Sequence, residues 1–200
     1  VPFADHMLLP LPSTIDPVAA ASAADNIPDG WRAVGPYLKE WPGASVLVIG
    51  GLAQSVGLYA AGCAVALGAG RVTYLDDHPE RRASAARLGA HSEALALAAG
   101  RAADQQYEIV VEAAGDADAL AFAIRSTAPN GVLTSVAIHL GETTAVPLTR
   151  AYYKGLTLRT GRVQARAVLP EVLACLASGG LHPEHVTHRV VPFTQAIEAM

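Results

Sequence analysis

Short apolar runs alternate with helix-like segments along most of the chain. The run SVLVI at 45–49 contains β-branched residues, which is typical of a strand buried on both faces of a parallel sheet. Six strands are predicted, at 45–49, 71–75, 94–98, 107–112, 132–138 and 156–160. Helices are predicted at 19–25, 31–40, 55–67, 79–88, 116–127, 147–154 and 168–177. This order predicts an α/β fold, a doubly wound and mainly parallel six-stranded sheet with helices on both faces.

The first 18 residues do not share this alternation. Their prolines, at positions 2, 10, 12 and 17, disfavour a regular helix, so we expect an arm that lies on other parts of the protein. The segment NIPDG at 26–30 contains a proline and a glycine, and we expect it to interrupt the helices predicted on either side.

Composition excludes several classes of protein. The chain has 200 residues, of which 52% are hydrophobic and 16% charged, a balance that supports a sizeable buried core. A net charge of -4 gives no electrostatic reason to expect nucleic acid or a membrane surface as a partner. No apolar run reaches the length of about 18 residues that a membrane span needs. Cys63 and Cys175 fit buried free thiols, so we expect a cytoplasmic protein.

A glycine-rich turn follows the first predicted strand. Dinucleotide-binding turns use glycine where the backbone approaches the pyrophosphate and where the next helix packs on the strand, usually spaced G-x-G-x-x-G. Here the first and last glycines lie two residues further apart, so we expect a longer turn with small or polar residues facing the phosphates. An ordinary βα loop would also use glycine. The candidate cofactor-binding residues of this turn are Gly50, Gly51, Leu52, Ala53, Gln54, Ser55, Val56 and Gly57.

An acid at the end of the second strand strengthens the dinucleotide hypothesis. Asp76 follows the glycine turn by about 20 residues, where a carboxylate accepts the hydroxyl groups of the adenosine ribose. It would repel a 2′-phosphate, which favours NAD over NADP. The alternative is a solvent-exposed acid at a strand end, and Asp77 fits that description too. Arg81 and Arg82 leave the NADP alternative open, and we include Asp77 and Arg81 among the candidates.

Two further strand ends are candidate cofactor contacts. In open α/β sheets, ligands bind outside the carboxyl ends of the strands. Val136, Ala137 and Ile138 end the fifth predicted strand, and Ala114 and Gly115 follow the fourth. Tight turns after buried strands would explain these small residues equally well.

These residues resemble the medium-chain dehydrogenase/reductase family, which includes the zinc-type alcohol dehydrogenases. The similarity runs in the family's order through the stretches VPFADHMLLPLP, VLVIGG, VGLYAAGCAVALGAGRVTYLDDHPERRASAARLGA, YEIVVEAAG, APNGVLTSVAI, YKGLTLRTG and LASGGLHPEHVTHRVVPFTQAIEAM. It covers essentially the whole chain.

The resemblance implies a Rossmann cofactor domain at 19–180. It also implies an arm at 1–18 from a catalytic domain that is largely missing, and a segment at 181–200 returning towards that domain. The expected function is NAD(H) binding in an oxidoreductase that transfers hydride between nicotinamide and an alcohol or carbonyl substrate. The isolated chain should bind the dinucleotide and catalyse little or nothing. The family also pairs cofactor domains through the strand that corresponds to 155–160, so a homodimer is expected.

The resemblance also implies one candidate metal ligand. The family places its third catalytic zinc ligand in a motif that DNIPDGW matches, which assigns Asp25 to the ligand position in a full-length protein. The alternative is that Asp25 caps the following helix. The histidines at 182, 185 and 188 are predicted to lie on a surface segment and not to form a ligand set.

Three other functions remain open from the sequence. The stretched glycine turn fits a non-catalytic dimerisation module with a vestigial dinucleotide site. A zinc-independent quinone reductase-type member shares the same cofactor domain. A methyltransferase using adenosylmethionine shares the turn and the acid, but the order of motifs along the whole chain favours the dehydrogenases.

Overall fold

A computed structural model describes residues 3–97 and 100–199 of the chain. Its six strands form one sheet in which every neighbouring pair is parallel, in the order β3-β2-β1-β4-β5-β6. The strands are β1 (Ser45–Ile49), β2 (Arg71–Asp76), β3 (His91–Ala94), β4 (Tyr107–Glu112), β5 (Thr127–Ser135) and β6 (Thr157–Arg159). The predicted doubly wound parallel sheet is confirmed.

Helices connect the strands and precede the first one. The α-helices are α1 (Ala4–Met7), α2 (Asn26–Arg32), α3 (Gly35–Glu40), α4 (Gln54–Ala66), α5 (Pro79–Arg87), α6 (Ala117–Ser126), α7 (Leu148–Lys154), α8 (Ala165–Ala177) and α9 (Ala196–Ala199). Short 3₁₀ helices occur at Ala19–Ala24, Pro183–His185 and Phe193–Gln195. Within the described ranges, no helix is both long and apolar enough to cross a lipid bilayer.

The core lies on both faces of the sheet. Successive residues of a strand point to opposite faces, and β1 shows the result. Val46 and Val48 pack in a cluster with α2, α3, α4, α5 and α8, whereas Leu47 and Ile49 pack in a second cluster with α6. A strand buried on both faces is therefore apolar throughout, as predicted for 45–49.

The third strand was predicted in the wrong place. It was expected at 94–98, but β3 runs from His91 to Ala94, residues 95–97 are not strand, and Ala98 lies outside the described residues. β3 is an edge strand whose side chains are mostly exposed. It therefore carries polar residues, and its position is fixed by backbone pairing with β2, from Thr73↔His91 to Asp76↔Ala94.

The fifth strand starts and ends earlier than the predicted 132–138. Asn130 and Gly131, which precede the predicted strand, lie inside β5 as a bulge, where Asn130 has a φ of 59°. At the bulge the pairing with β4 shifts between Tyr107 and Ile109. Because β5 ends at Ser135, the candidate residues 136–138 belong to the loop beyond the strand.

The helix predicted at 31–40 is two helices. Pro36 has no N–H to donate to the carbonyl of Arg32, which disfavours a continuous helix at this point. α2 ends at Arg32, and α3 starts at Gly35 with the proline in its first turn.

The segment 26–30 was predicted to interrupt the helices and is itself helical. Pro28 lies in the first turn of α2, where the backbone N–H groups need no intrahelical partner. Gly30 permits close helix packing, because a Cβ at this position would lie 2.6 Å from the backbone nitrogen of Ala60 in α4. Two smaller differences lie nearby, since 19–24 is a 3₁₀ helix and the arm contains the single helical turn α1.

Candidate functional site

The strand order reverses between β1 and β4. The chain runs outward from β1 to β2 and β3, then returns to place β4 on the other side of β1. The connections after these two strands therefore diverge to opposite sides of the sheet, and the crevice between them is where open α/β sheets bind ligands. Gly50 and Ala113 follow the two strands at this point.

The glycine turn after β1 is fastened to the end of β4. The N–H of Leu52 donates to the carbonyl of Ala114 at 3.3 Å, and the N–H of Ala53 donates to the carbonyl of Ala113 at 2.9 Å. These two amides are therefore used within the protein. The N–H groups of the first residues of α4 have no intrahelical partner and carry the positive end of the helix dipole.

Close packing explains three glycines of the turn. A Cβ at Gly50 would collide with the carboxylate of Asp76 and the hydroxyl of Tyr74. A Cβ at Gly51 would lie 2.5 Å from the Cα of Ala114, and one at Gly57 would lie 3.1 Å from the Cβ of Ala113. The long spacing of this turn thus still provides close approach at its start and tight packing of α4 on the sheet.

Two cavities flank the start of α4. One, of about 560 Å³, lies between α4, α5 and the segment 185–188. The other, of about 640 Å³, lies between the glycine turn, the loop after β5 and residues 160–163. Gln54 and Ser55 line the first, whereas Leu52, Ala53 and Val56 line the second. The helix start therefore stands between two cavities, each within the usual size range of small-molecule sites.

Asp76, at the end of β2, is saturated with hydrogen bonds and fully buried. Its Oδ2 accepts from the hydroxyl of Tyr74 at 2.9 Å and from Nε of Arg81 at 2.7 Å. Its Oδ1 accepts from the N–H of His78 at 2.8 Å and from Nη2 of Arg81 at 2.7 Å. A carboxylate has about four acceptor positions, and all of them are occupied here.

These contacts set the charge of the Asp76 cluster. Burial by itself would raise the pKa of the Asp76 carboxyl, but the hydrogen bonds from Arg81, His78 and Tyr74 outweigh it and lower the pKa. Burial and the neighbouring carboxylate raise the pKa of the Tyr74 hydroxyl, so it stays a neutral donor. Asp77, with 82% of its side chain exposed, lies 3.3 Å from Arg81.

A second buried carboxylate lies at the end of β4. Glu112 is fully buried, and its Oε1 accepts from the N–H of Gly115 at 2.6 Å. Its Oε2 accepts from the hydroxyl of Ser135 at 2.6 Å and lies 3.2 Å from Nε2 of His139. Ser135 and His139 both line the 640 Å³ cavity. The carboxylate therefore holds one ring nitrogen of a histidine whose ring faces that cavity.

The family model of zinc-binding dehydrogenases matches residues 55–178, more than half of the chain. The chain belongs to the zinc-binding dehydrogenase family.

Solved structures and a curated relative agree with this family. Alcohol dehydrogenase TADH from Thermus sp. ATN1 superposes with a TM-score of 0.85 at 31% identity, covering 100% of this chain and 59% of that one. Zinc-type alcohol dehydrogenase B of Aspergillus flavus is 27% identical over 99% of this chain and 49% of its own length. The chain thus spans about half the length of the relatives that it matches.

A more distant structure shows the same fold with a cofactor. The short chain alcohol dehydrogenase rspB from E. coli, complexed with NADH, superposes with a TM-score of 0.77 at 18% identity, covering 96% of this chain and 57% of that one. At this identity the likeness establishes the fold alone. The resemblance of the sequence to zinc-type alcohol dehydrogenases is therefore confirmed, whereas the residues that contact a cofactor in this zinc-binding dehydrogenase remain predictions.

The structure separates the predicted contacts into two groups. One group lines a cavity: Leu52, Ala53, Gln54, Ser55, Val56, Arg81, Val136, Ala137 and Ile138. The other lines neither of the two cavities: Gly50, Gly51, Gly57, Asp76, Asp77, Ala114 and Gly115. Most of the second group position the turn and the strand ends. For Asp76 to accept ribose hydroxyls as predicted, Arg81 or another of its present donors must first release it.

Asp25 lies at the N-cap position of α2 but makes no side-chain capping hydrogen bond. Asp25 therefore occupies the N-cap position, as the capping alternative predicts, but its side chain does not form the hydrogen bond of a cap. Asp25 lines the 640 Å³ cavity together with Asp29. The Oδ1 of Asp29 lies 2.5 Å from Nε of Arg32. Among the described residues, Asp25 belongs to no group of three donor side chains close enough to hold a metal ion. It fits zinc as a single ligand only, and the prediction needs further donors.

Sequence reasoning missed Glu112, Ser135 and His139. A signal for the first was present, because Glu112 directly follows the apolar residues Ile109, Val110 and Val111, and a charge at a buried position is costly unless it is paired. No pattern in the sequence placed His139 beside it, because the two residues meet only through the pairing of β4 with β5.

Proposed function

We propose that this chain binds NAD(H) across the carboxyl edge of its sheet, with the pyrophosphate at the start of α4. The observation that carries the proposal is the position of the α4 N-terminus between two cavities at the strand-order reversal. A dinucleotide has two nucleoside halves joined by an anion, and this arrangement offers two cavities joined by a helix N-terminus.

The pyrophosphate would lie against the N–H groups of Gln54, Ser55 and Val56. Nearby side chains are already oriented for this role, since Nδ2 of Asn26 in α2 donates to the hydroxyl of Ser55 at 2.8 Å. Ser55 is therefore left with its own O–H as a donor towards a phosphate oxygen. No acidic residue occurs in the first turn of α4 to repel the anion.

The two nucleoside halves follow from the positions of β2 and β5. The adenosine half would lie towards Asp76 and the cavity lined by His78 and Arg81. The nicotinamide half would lie in the other cavity, beside residues 136–138 and the ring of His139. We propose NAD(H) over NADP(H), because Asp76 neutralises Arg81 and the exposed Asp77 would repel a 2′-phosphate.

We propose hydride transfer between nicotinamide and an alcohol or carbonyl substrate as the activity of the longer protein. In such an enzyme, zinc acts as a Lewis acid on the substrate oxygen. Asp25 would be one ligand, at the nicotinamide side of the crevice. The residues of this chain bind and orient the dinucleotide, so we expect the 200-residue chain alone to turn over little or no alcohol.

Isothermal titration of the chain with NADH, ADP-ribose and NADPH tests this function. We expect NADH and ADP-ribose to bind with similar stoichiometry and NADPH to bind more weakly. Gln54→Glu places a negative charge at the α4 N-terminus and should weaken NADH binding about tenfold, a change of about 1.4 kcal/mol.

The matched control is Gln195→Glu, the same charge change at an exposed residue that lines neither cavity. It should bind NADH like the wild type. Absence of NADH binding at millimolar concentration would contradict the proposal, and equal weakening by both variants would remove the pyrophosphate from α4.

We also propose that two copies pair through β6, as predicted for 155–160. All three residues of this edge strand are exposed, and an unpaired edge presents N–H and C=O groups to another chain. Light scattering should show a dimer that Leu158→Glu dissociates, whereas Leu140→Glu, on an exposed loop residue, should not change it. A monomer in the wild type would overturn this proposal. The free thiols of Cys63 and Cys175 fit the predicted cytoplasmic location, which stays a prediction.

A further inference from the structure

Three metal-ligand side chains meet at a turn after α8, where His185 also lines the 560 Å³ cavity. His182, Glu184 and His185 each offer one ligand atom, and these atoms all lie within 4.8 Å of one another. Nδ1 of His182 lies 2.9 Å from Oε1 of Glu184, and the two imidazole rings are tilted with centroids 5.5 Å apart. In the part of the chain that the structure describes, this is the group of three that is close enough for one ion.

The backbone of this turn is held firmly. Leu181 is 3% exposed and packs in the core beside α4, and Pro183 is buried as the first residue of a 3₁₀ helix. Within the turn the N–H of His185 donates to the carbonyl of His182 at 3.1 Å, and the hydroxyl of Thr187 donates to the carbonyl of Pro183 at 3.1 Å. The three ligand side chains therefore extend from a short, rigid segment, which reduces the entropy that metal binding would cost.

A contact from α5 fixes the turn on the rest of the protein. Nη2 of Arg87 donates to the carbonyl of His185 at 3.3 Å. The metal-ligand atoms themselves remain accessible, because the side chains of His182 and Glu184 are 51% and 59% exposed. An ion can therefore reach them from solvent without opening the core.

We propose that His182, Glu184 and His185 form a binding site for a divalent transition-metal ion such as Zn²⁺, with water completing the coordination. Two imidazole nitrogens and one carboxylate oxygen are a donor set that zinc accepts. Tetrahedral zinc with bonds of about 2.0–2.1 Å separates its ligand atoms by about 3.4 Å, so only small side-chain rotations are needed.

This site differs from the one suggested by the spacing of the histidines. The sequence contains His182-x-x-His185-x-x-His188 and was predicted to form no ligand set. In the structure the third donor near His182 and His185 is Glu184 and not His188. One turn of 3₁₀ helix brings residues 182, 184 and 185 together. The site is also separate from Asp25, which belongs to no such group among the described residues.

The test is titration of the whole chain with ZnCl₂ in a non-coordinating buffer, followed by isothermal calorimetry. We expect one ion per chain at this site and a loss of affinity of at least about tenfold in His182→Ala and in His185→Ala. Circular dichroism should show unchanged folding, since both substitutions remove side chains from a surface turn.

His91→Ala is the matched control. His91 and Glu93 form a similar exposed pair, with Nε2 and Oε1 2.5 Å apart, but they belong to no group of three donors among the described residues. This variant should bind zinc like the wild type. No zinc binding, binding that persists in His182→Ala and His185→Ala, or binding lost instead in Asp25→Asn or His188→Ala would each overturn the proposal. None of these outcomes depends on whether the chain binds NADH.

Discussion

Asp76 and Glu112 are two fully buried carboxylates at the same edge of one sheet, and their partners differ. Asp76 ends β2 and is held by a charged group, since Arg81 donates to both of its oxygens. Glu112 ends β4 and is held by the N–H of Gly115, the hydroxyl of Ser135 and the ring of His139. Asp76 therefore forms an ion pair within the protein, whereas Glu112 contacts a histidine that lines a cavity.

The difference shows that a position at a strand end does not decide the role of an acid. A carboxylate whose acceptor positions are filled by an arginine contributes first to stability, because separating the pair leaves an uncompensated buried charge. A carboxylate held by a backbone N–H, a hydroxyl and an imidazole can orient a side chain that meets a ligand. From the sequence, Asp76 was the acid predicted to contact the cofactor. In the structure it is Glu112 that contacts His139, a residue lining the proposed nicotinamide cavity.

The largest expected effect is that of Arg81→Met. It leaves the buried charge of Asp76 without its cation and should lower the free energy of unfolding by about 3–5 kcal/mol, measured by urea denaturation. Arg87→Met, on the same helix but bonded only to a hydroxyl and a carbonyl oxygen, should cost less than about 1 kcal/mol. Equal losses in the two variants would contradict the assignment of Asp76 and Arg81 as a structural pair.

Acid should remove part of the same contribution. The pKa of the Asp76 carboxyl is lowered in the folded chain, so the stability that it provides is complete above its usual pKa of about 3.9 and is lost as pH falls below that value. The difference in unfolding free energy between the wild type and Asp76→Asn should therefore shrink as pH falls from about 5 to 3. A difference that stays constant over this range would show that the pKa is not lowered.

Glu112→Gln should be milder, because the amide keeps the shape of the side chain and leaves no charge unpaired. We expect a loss of about 1–2 kcal/mol in unfolding free energy. Glu93→Gln, at an exposed edge residue, should stay within about 0.5 kcal/mol of the wild type. If Glu112→Gln were as destabilising as Arg81→Met, the contrast between the two carboxylates would be wrong.

His139→Asn should have the smallest effect on stability but a measurable effect on binding. The ring is only 18% exposed and faces the proposed nicotinamide cavity. We expect NADH affinity to fall about threefold to tenfold while ADP-ribose, which lacks nicotinamide, binds as before. His91→Asn serves as the control. Equal weakening of both ligands would move the ring away from the nicotinamide half.

The sequence predicted strand bounds well where buried positions carry apolar residues. The apolar residues at the centres of β1 and β4 are buried on both faces of the sheet, and the bounds of both strands agree with the prediction. β3 was misplaced because an edge strand bonded on one side can carry polar residues. The helix at 31–40 was predicted as continuous although Pro36, visible in the sequence, removes one backbone hydrogen bond of such a helix.

The candidate site was predictable only in part. The glycine turn was located, because glycine marks close backbone approach, whereas residues 136–138 were predicted as strand and lie in the loop after β5. The partners of the carboxylates could not be read, because Asp76 meets Arg81 through the angle of α5 and Glu112 meets His139 through the register of β4 and β5. The same holds for His182, Glu184 and His185, which a turn of 3₁₀ helix brings together.

By itself, the sequence determined the alternation of strands and helices, the parallel sheet, the family resemblance and the position of the glycine turn. These features follow from local periodicity, glycine placement and burial, which each residue carries with it. The tertiary structure alone decided which carboxylate is paired with an arginine and which one contacts a histidine that lines a cavity. A hydrogen bond needs two groups within about 3 Å, and only the folded placement of α5 after β2 and the pairing of β4 with β5 fix those distances.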